Sequence, residues 1–133
     1  MPDMTSNSTT KSILAIDDES DIVNLIKQAL EKDGFQVCTF IDVLAALERF
    51  RSYSKHYDII ISDIRMPGMN GYEFVKQVKK INTKVKVILM SAFEINDREF
   101  HNLLPNIKID AFLRKPFSIQ RLNDVVEKIK VKD

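Results

Sequence analysis

From Ser12 onward the chain alternates short apolar runs with longer stretches in which apolar residues recur every three or four positions. The first run, Ile13-Leu14-Ala15-Ile16, stops at Asp17-Asp18. Ile22, Leu25, Ile26, Ala29 and Leu30 then share one face of a predicted helix, and Gly34 closes it with a left-handed cap. Residues 35–40 mix polar and apolar positions, as a strand near a sheet edge does. Asp42 is the predicted N-cap of a second helix with Val43, Leu47 and Phe50 turned inward. The third run, Ile59-Ile60-Ile61, is β-branched throughout and ends in Ser62-Asp63. After a loop at 65–69, Asn70 and Glu73 have capping-box spacing, and Phe74, Val78 and Ile81 line one face of a third helix. Residues 85–90 form a fourth run that ends at Ser91. Asn96 and Glu99 cap a fourth predicted helix with the stripe Phe100, Leu103, Leu104 and Ile107, limited by Pro105. Residues 109–113 are the fifth run, ended by Lys115-Pro116, and Ser118 opens a last helix carrying Leu122, Val125, Val126 and Ile129.

Five strand–helix units in succession predict an α/β fold, a mostly parallel sheet with helices on both faces. The unbroken apolar character of runs one, three and four fits strands buried on both sides. This unit occupies residues 12–133 as one domain. Residues 1–11 are polar and rich in Ser and Thr, with no apolar run behind a basic start, which predicts a disordered tail on a cytoplasmic protein rather than a secretory signal.

Charge and composition narrow the function. Twenty Lys and Arg stand against nineteen Asp and Glu, so the chain lacks the basic excess needed to coat nucleic acid or an anionic membrane. A single cysteine, Cys38, excludes an internal disulfide framework and a cysteine-based zinc cluster. Three glycines are too few for a glycine-rich nucleotide loop.

The chemistry gathers at strand ends. In an open α/β sheet, ligands bind outside the carboxyl ends of the strands at the switch in strand order. Those ends carry Asp17, Asp18, Asp63, Ser91 and Lys115. The order 2-1-3-4-5 sets strands one and three side by side, about 5 Å apart, which crowds three carboxylates into one site. Like charges that close either raise a pKa or require a cation, and an all-oxygen, partly hydrated site suits Mg²⁺. Lys115 and the Ser91 hydroxyl supply what phosphoryl oxygens need, so the set matches phosphoryl transfer. Singly, these residues have plainer readings: an Asp-Asp pair also caps helices, and an Asp before Met-Pro-Gly also makes turns. Cys38, His56 and His101 read as packing or surface residues, and Lys79-Lys80 with Lys84 and Lys86 as a solvated helix end.

Taken in order, Asp17-Asp18, Asp63 with Met66-Pro67-Gly68-Met69-Asn70-Gly71, Ser91-Ala92 and Lys115-Pro116-Phe117 resemble the receiver domain of two-component response regulators. The resemblance covers nearly the whole chain. It implies a doubly wound, flavodoxin-like (βα)5 three-layer sandwich of the chemotaxis-regulator kind. Asp63 would accept a phosphoryl group from a sensor histidine kinase or a phosphotransfer protein. Asp18, Asp63 and the main-chain carbonyl of Arg65 would ligate Mg²⁺, or Mn²⁺ in its place, with Asp17 acting mostly through bound water. Ser91 and Lys115 would bind the phosphoryl group, Phe112 would be the switching aromatic, and the Lys115-Pro116 bond would be cis. The downstream protein target would read the surface of the fourth predicted helix, the fifth strand and the last helix. The chain would be a monomer or a phosphorylation-dependent dimer, with no direct nucleic-acid or membrane contact, and would catalyse at most its own phosphorylation and dephosphorylation.

Two positions bordering the entrance, Arg65 and Phe93, depart from the commonest receiver pattern and are candidate modulators of phosphoryl lifetime. The lead into strand five, residues 105–109, lacks the usual small Ala/Gly-rich turn. An aspartate-nucleophile phosphatase of the haloacid-dehalogenase type would place an acid where Arg65 stands, and Arg65 cannot serve as a general acid. A flavin site would want a phosphate loop after strand one, where Asp17-Asp18-Glu19 repels phosphate. The remaining alternative is a pseudo-receiver, an interaction module that works without phosphorylation. With 12–133 consumed by one domain, the chain reads either as a stand-alone receiver or as a piece of a longer regulator.

Overall fold

The computed structural model describes residues 11–92 and 107–131. Within them, β1 (Ser12–Ile16), β2 (Gln36–Phe40), β3 (Ile59–Asp63), β4 (Lys86–Ser91) and β5 (Ala111–Arg114) form one parallel sheet of order β2-β1-β3-β4-β5. Helices α1 (Ser20–Lys32), α2 (Val43–Ser52), α3 (Gly71–Ile81) and α4 (Ile119–Val131) pack on its faces, with a short 3-10 turn at Ser54–His56. The fourth predicted helix, together with Phe93, His101 and Pro105, lies outside the described residues. None of the described helices is long and apolar enough to cross a membrane.

Alternation along the strands builds two cores. Leu14, Ile16, Ile60, Val87 and Leu89 face α2 and α3, where they meet Leu47, Phe50, Phe74 and Val78. Ile13, Ala15, Ile59, Ile61, Ile88 and Met90 face the other way, toward Ile26 and Leu30 of α1 and Leu122, Val126 and Ile129 of α4. Strands apolar on both faces lose water from both, which is why β1 and β3 are buried along their whole length. β2 is an edge strand, and only Val37 in it is buried.

Local signals land where the pattern expects them. The Gly34 N–H bonds the Glu31 carbonyl and the Phe35 N–H bonds the Leu30 carbonyl, a Schellman closure. Gly34 has φ of 94°, which glycine alone adopts without strain. Asn70 Oδ1 accepts from the Glu73 N–H at 2.9 Å, and Ser118 Oγ accepts from the Arg121 N–H at 3.0 Å. Two helix faces differ from expectation. In α1, Val23 is buried and Leu25 only half-buried; in α3, Val75 is buried while Ile81 is 37% exposed. Apolar arcs of similar hydrophobicity leave the rotation of a helix open, and contact with the sheet decides it. The lead into β5 is braced without small residues. Asp110 Oδ2 accepts from the Val87 N–H at 2.8 Å, and the Asp110 N–H donates to the Val87 carbonyl at 2.9 Å.

Candidate functional site

β1 and β3 are hydrogen-bonded neighbours, so the residues that follow or end them emerge together. Asp17 and Asp18 leave β1, Asp63 ends β3, Ser91 ends β4, and Lys115 follows β5. The Lys115 N–H donates to the Ser91 carbonyl at 2.8 Å, which fixes the lysine beside the serine. The Lys115–Pro116 peptide is cis. Gly71 holds α3 close: its N–H donates to the Ile64 carbonyl at 2.7 Å, and a Cβ there would overlap the Asp63 carbonyl oxygen.

Carboxylate oxygens of Asp17, Asp18 and Asp63 all lie within 4.8 Å of one another. Asp17 is fully buried, Asp63 is 6% exposed, and Asp18 faces solvent. Lys115 Nζ lies 2.6 Å from Asp17 Oδ2 and 3.4 Å from Asp63 Oδ1. The first contact is a close ion pair, so the buried Asp17 Oδ2 is held by the Lys115 ammonium. Asp17 Oδ1 accepts from the Glu19 N–H at 3.0 Å, so this carboxylate ties the β1–α1 turn.

Burial raises the pKa of Asp63 to about 6, the Asp17 charge adds to the rise, and Lys115 opposes it. Asp17 is also raised, by burial first, against the pull of Lys115. For Lys115 burial acts downward, but pairing with Asp17 and Asp63 outweighs it and the ammonium is held above its ordinary value. Asp17 and Asp63 therefore share the one Lys115 ammonium, with the Asp18 carboxylate beside them, an excess of negative charge of the kind a divalent ion relieves. Three clustered carboxylates, an all-oxygen ligand set, fit a hard, oxygen-seeking cation such as Mg²⁺. Above the acids opens a cavity of about 260 Å³ lined by Asp18, Glu19, Asp63, Arg65, Ser91 and Lys115.

The family profile described as response regulator receiver domain matches residues 13–127. This chain belongs to that family. The receiver is 32% identical over 120 residues to the alkaline phosphatase synthesis transcriptional regulatory protein PhoP of Bacillus subtilis, covering 90% of this chain and 48% of that protein. It thus spans about half the length of the curated relatives it matches. Among solved structures, the chemotaxis response regulator CheY4 of Vibrio cholerae superposes with a TM-score of 0.81 at 26% identity, over 91% of this chain and 99% of that one. The response regulator TrrA of Thermotoga maritima, solved with Mg²⁺ and BeF, superposes with a TM-score of 0.76 at 30% identity, over 90% of this chain and 99% of that one.

Of the residues expected at the receiver site, Asp17, Asp18, Asp63, Ser91, Arg65 and Lys115 come together. Ser91 is buried and Arg65 exposed at the rim. Phe112 stands apart from the cavity, half-buried against the α2/α3 core beside Leu89. Phe93 lies outside the described residues. Two participants have no distinct sequence signal. Glu19 Oε1 lies 3.5 Å from Lys115 Nζ at the cavity rim, though as a 66% exposed side chain it is a weak partner. Gly71 matters through the backbone, and only its place in the Met-Pro-Gly-Met-Asn-Gly stretch marks it.

Proposed function

We propose that this receiver takes a phosphoryl group from the phosphohistidine of a sensor histidine kinase, or from a phosphotransfer protein, onto Asp63. The observation that carries this reading is the placement of Asp63 3.4 Å from Lys115 and within 4.8 Å of two further carboxylates, at the floor of an open cavity. Its pKa of about 6 leaves the carboxylate mostly ionised at neutral pH, so a nucleophilic oxygen is available. That oxygen bonds to phosphorus as the phosphorus–nitrogen bond breaks, and the electron pair leaves on the histidine nitrogen. Asp18, Asp63 and the Arg65 carbonyl would hold Mg²⁺ directly and Asp17 through water; the ion, when bound, offsets phosphoryl charge. Mn²⁺ would serve in its place.

Lys115 then turns from Asp63 to a phosphoryl oxygen, and the Ser91 hydroxyl donates to another. Phosphorylation adds about −2 charge at the end of β3, and the arrangement that binds it best gains population. Phe112, half-buried on β5, would report that change on the face formed by the fourth predicted helix, β5 and α4, where a protein partner reads it. Arg65 and Phe93 would set how long the phosphoryl group lasts. Incubation with Mg²⁺ and phosphoramidate, followed by intact-mass measurement, should add one phosphoryl group that is lost in base and absent from Asp63→Asn. No adduct with any donor would favour the phosphorylation-independent interaction module.

A further inference from the structure

Ser62 is a buried polar side chain that the chemistry proposed above does not use. It precedes Asp63 on β3, is fully buried, and has Ile16 of β1 and Leu89 of β4 as its strand partners. Strand alternation sets it on the same face as Ile60, so its hydroxyl enters the apolar layer of Ile16, Ile60 and Leu89 on the α2 and α3 side of the sheet. Packing alone would be served as well by alanine, because a hydroxyl in such a layer costs free energy unless it is hydrogen-bonded.

The bond it makes is to the backbone of the candidate phosphoacceptor. Ser62 Oγ donates to the Asp63 carbonyl at 2.9 Å. The N–H on the other edge of the same peptide, that of Ile64, donates to the Met90 carbonyl on β4 at 3.0 Å. A planar peptide held at both edges cannot turn about its flanking bonds without straining one contact or the other. The same carbonyl is the atom that a Cβ at Gly71 would overlap, and the Gly71 N–H donates to the Ile64 carbonyl at 2.7 Å. Ser62, β4 and the start of α3 thus converge on one peptide unit. Before it stands the Asp63 carboxylate, 3.4 Å from Lys115 Nζ. After it the chain runs through Ile64 to Arg65 at the rim of the cavity.

We propose that Ser62 is a positioning residue for phosphoryl transfer to Asp63: by holding the Asp63 carbonyl, its hydroxyl fixes the Asp63 carboxylate and the Arg65 carbonyl relative to each other as ligands for Mg²⁺. The inference rests on the phosphoacceptor reading of Asp63 given above. The hydroxyl bonds the backbone and not the carboxylate, so it acts through the peptide. Groups that orient metal ligands commonly change affinity or rate by about 10–100-fold, and a single bond to an already anchored peptide belongs at the lower end of that range.

The test compares the parent with Ser62→Ala and Ser62→Thr in two measurements. Calorimetric titration with Mg²⁺, in the absence of any phosphodonor, gives the affinity for the ion. Intact mass followed over time with phosphoramidate, at increasing Mg²⁺, gives the uptake rate and its maximum. Ser62→Ala should melt close to the parent, bind Mg²⁺ about tenfold more weakly, and take up the phosphoryl group about tenfold more slowly even at saturating Mg²⁺. Ser62→Thr keeps the hydroxyl and should restore both values to near the parent's; if its added methyl prevents folding, Ser62→Ala decides alone. A folded Ser62→Ala with the parent's Mg²⁺ affinity and uptake rate would overturn the proposal, as would a folded Ser62→Thr as impaired as Ser62→Ala. Failure of Ser62→Ala to fold would assign the hydroxyl to stability and overturn it too. A parent that binds Mg²⁺ but takes up no phosphoryl group would instead sink the phosphoacceptor reading itself, and this inference with it.

Discussion

The two ends of the sheet are built from the same five strands, and their chemistry is opposite. At the carboxyl ends three acids crowd around one buried lysine in a cavity of about 260 Å³. At the amino ends five lysines surround one engaged acid in a cavity of about 550 Å³. A net charge of +1 thus conceals an uneven placement of acids and lysines at the two ends of the sheet. The amino end ties its loops together, with Lys79 and Asn82 donating to the Thr83, Val85 and Ser54 carbonyls. The carboxyl end buries Asp17 and Asp63 and gives the two of them one lysine. Buried like charges cost stability, and that cost is one the fold can retain where binding of a cation or a phosphoryl group relieves it.

The largest expected effect breaks the carboxyl end outright. Asp63→Asn should reduce phosphoryl uptake to nothing measurable by intact mass, while Lys55→Glu/Lys84→Glu should keep the parent's uptake rate. Loss of uptake in the lysine variant would mean that the two ends are not separate.

Gly71→Ala comes next. A Cβ there meets the Asp63 carbonyl and lies 2.8 Å from Ile64 Cα, so α3 or the end of β3 must shift. The expected loss is about 3 kcal/mol in denaturant unfolding, with slower phosphoryl uptake. Unchanged stability would show that the α3–β3 approach is looser than the geometry requires.

The pH dependence of the metal-free chain sharpens the comparison further. Asp63 is raised from 3.8 to about 6, so the folded chain holds this proton more tightly than the unfolded chain does. The stability penalty from its ionisation is absent below about pH 4, grows between 4 and 6, and is complete above 6. In EDTA, Asp63→Asn should therefore be more stable than the parent to denaturant at pH 7.5, by about 1–3 kcal/mol, with the difference vanishing toward pH 4. Mg²⁺ should raise the parent's melting temperature at pH 7.5, and less so as pH falls below 6, where protons compete for the same oxygens. A pH-independent difference would show that the Asp63 charge is already compensated.

Glu19→Gln should have the smallest effect. Its carboxylate is mostly exposed and 3.5 Å from Lys115, so removing its charge should leave stability within about 0.5 kcal/mol. Phosphoryl uptake should rise by no more than a few-fold, measured from the rate of mass gain.

Much of this was legible in the chain because its signals are local. The strands, the Gly34 closure, the Asn70 and Ser118 caps and the strand-end positions of Asp17, Asp63, Ser91 and Lys115 depend on neighbours a few residues away, and periodicity reports those directly. Helix rotation was less legible. Leu25 and Ile81 satisfy the helical spacing as well as Val23 and Val75 do, and only contact with the sheet chooses between them.

By itself, the sequence determined the α/β alternation, the parallel sheet, and the residue types needed for a phosphoacceptor site. Tertiary structure alone decided which acid is buried and which is exposed, because Asp17 and Asp18 are equivalent until β1 turns one inward. It also decided the fate of the lysines around α3. Lys79, expected on a solvated helix end, donates instead to the Thr83 and Val85 carbonyls, and burial lowers its pKa. Lys84 and Lys86 join Lys11, Lys55 and Lys130 around one cavity. Electrostatics acts through space, and residues from 11 to 130 become neighbours only once the strand order is set.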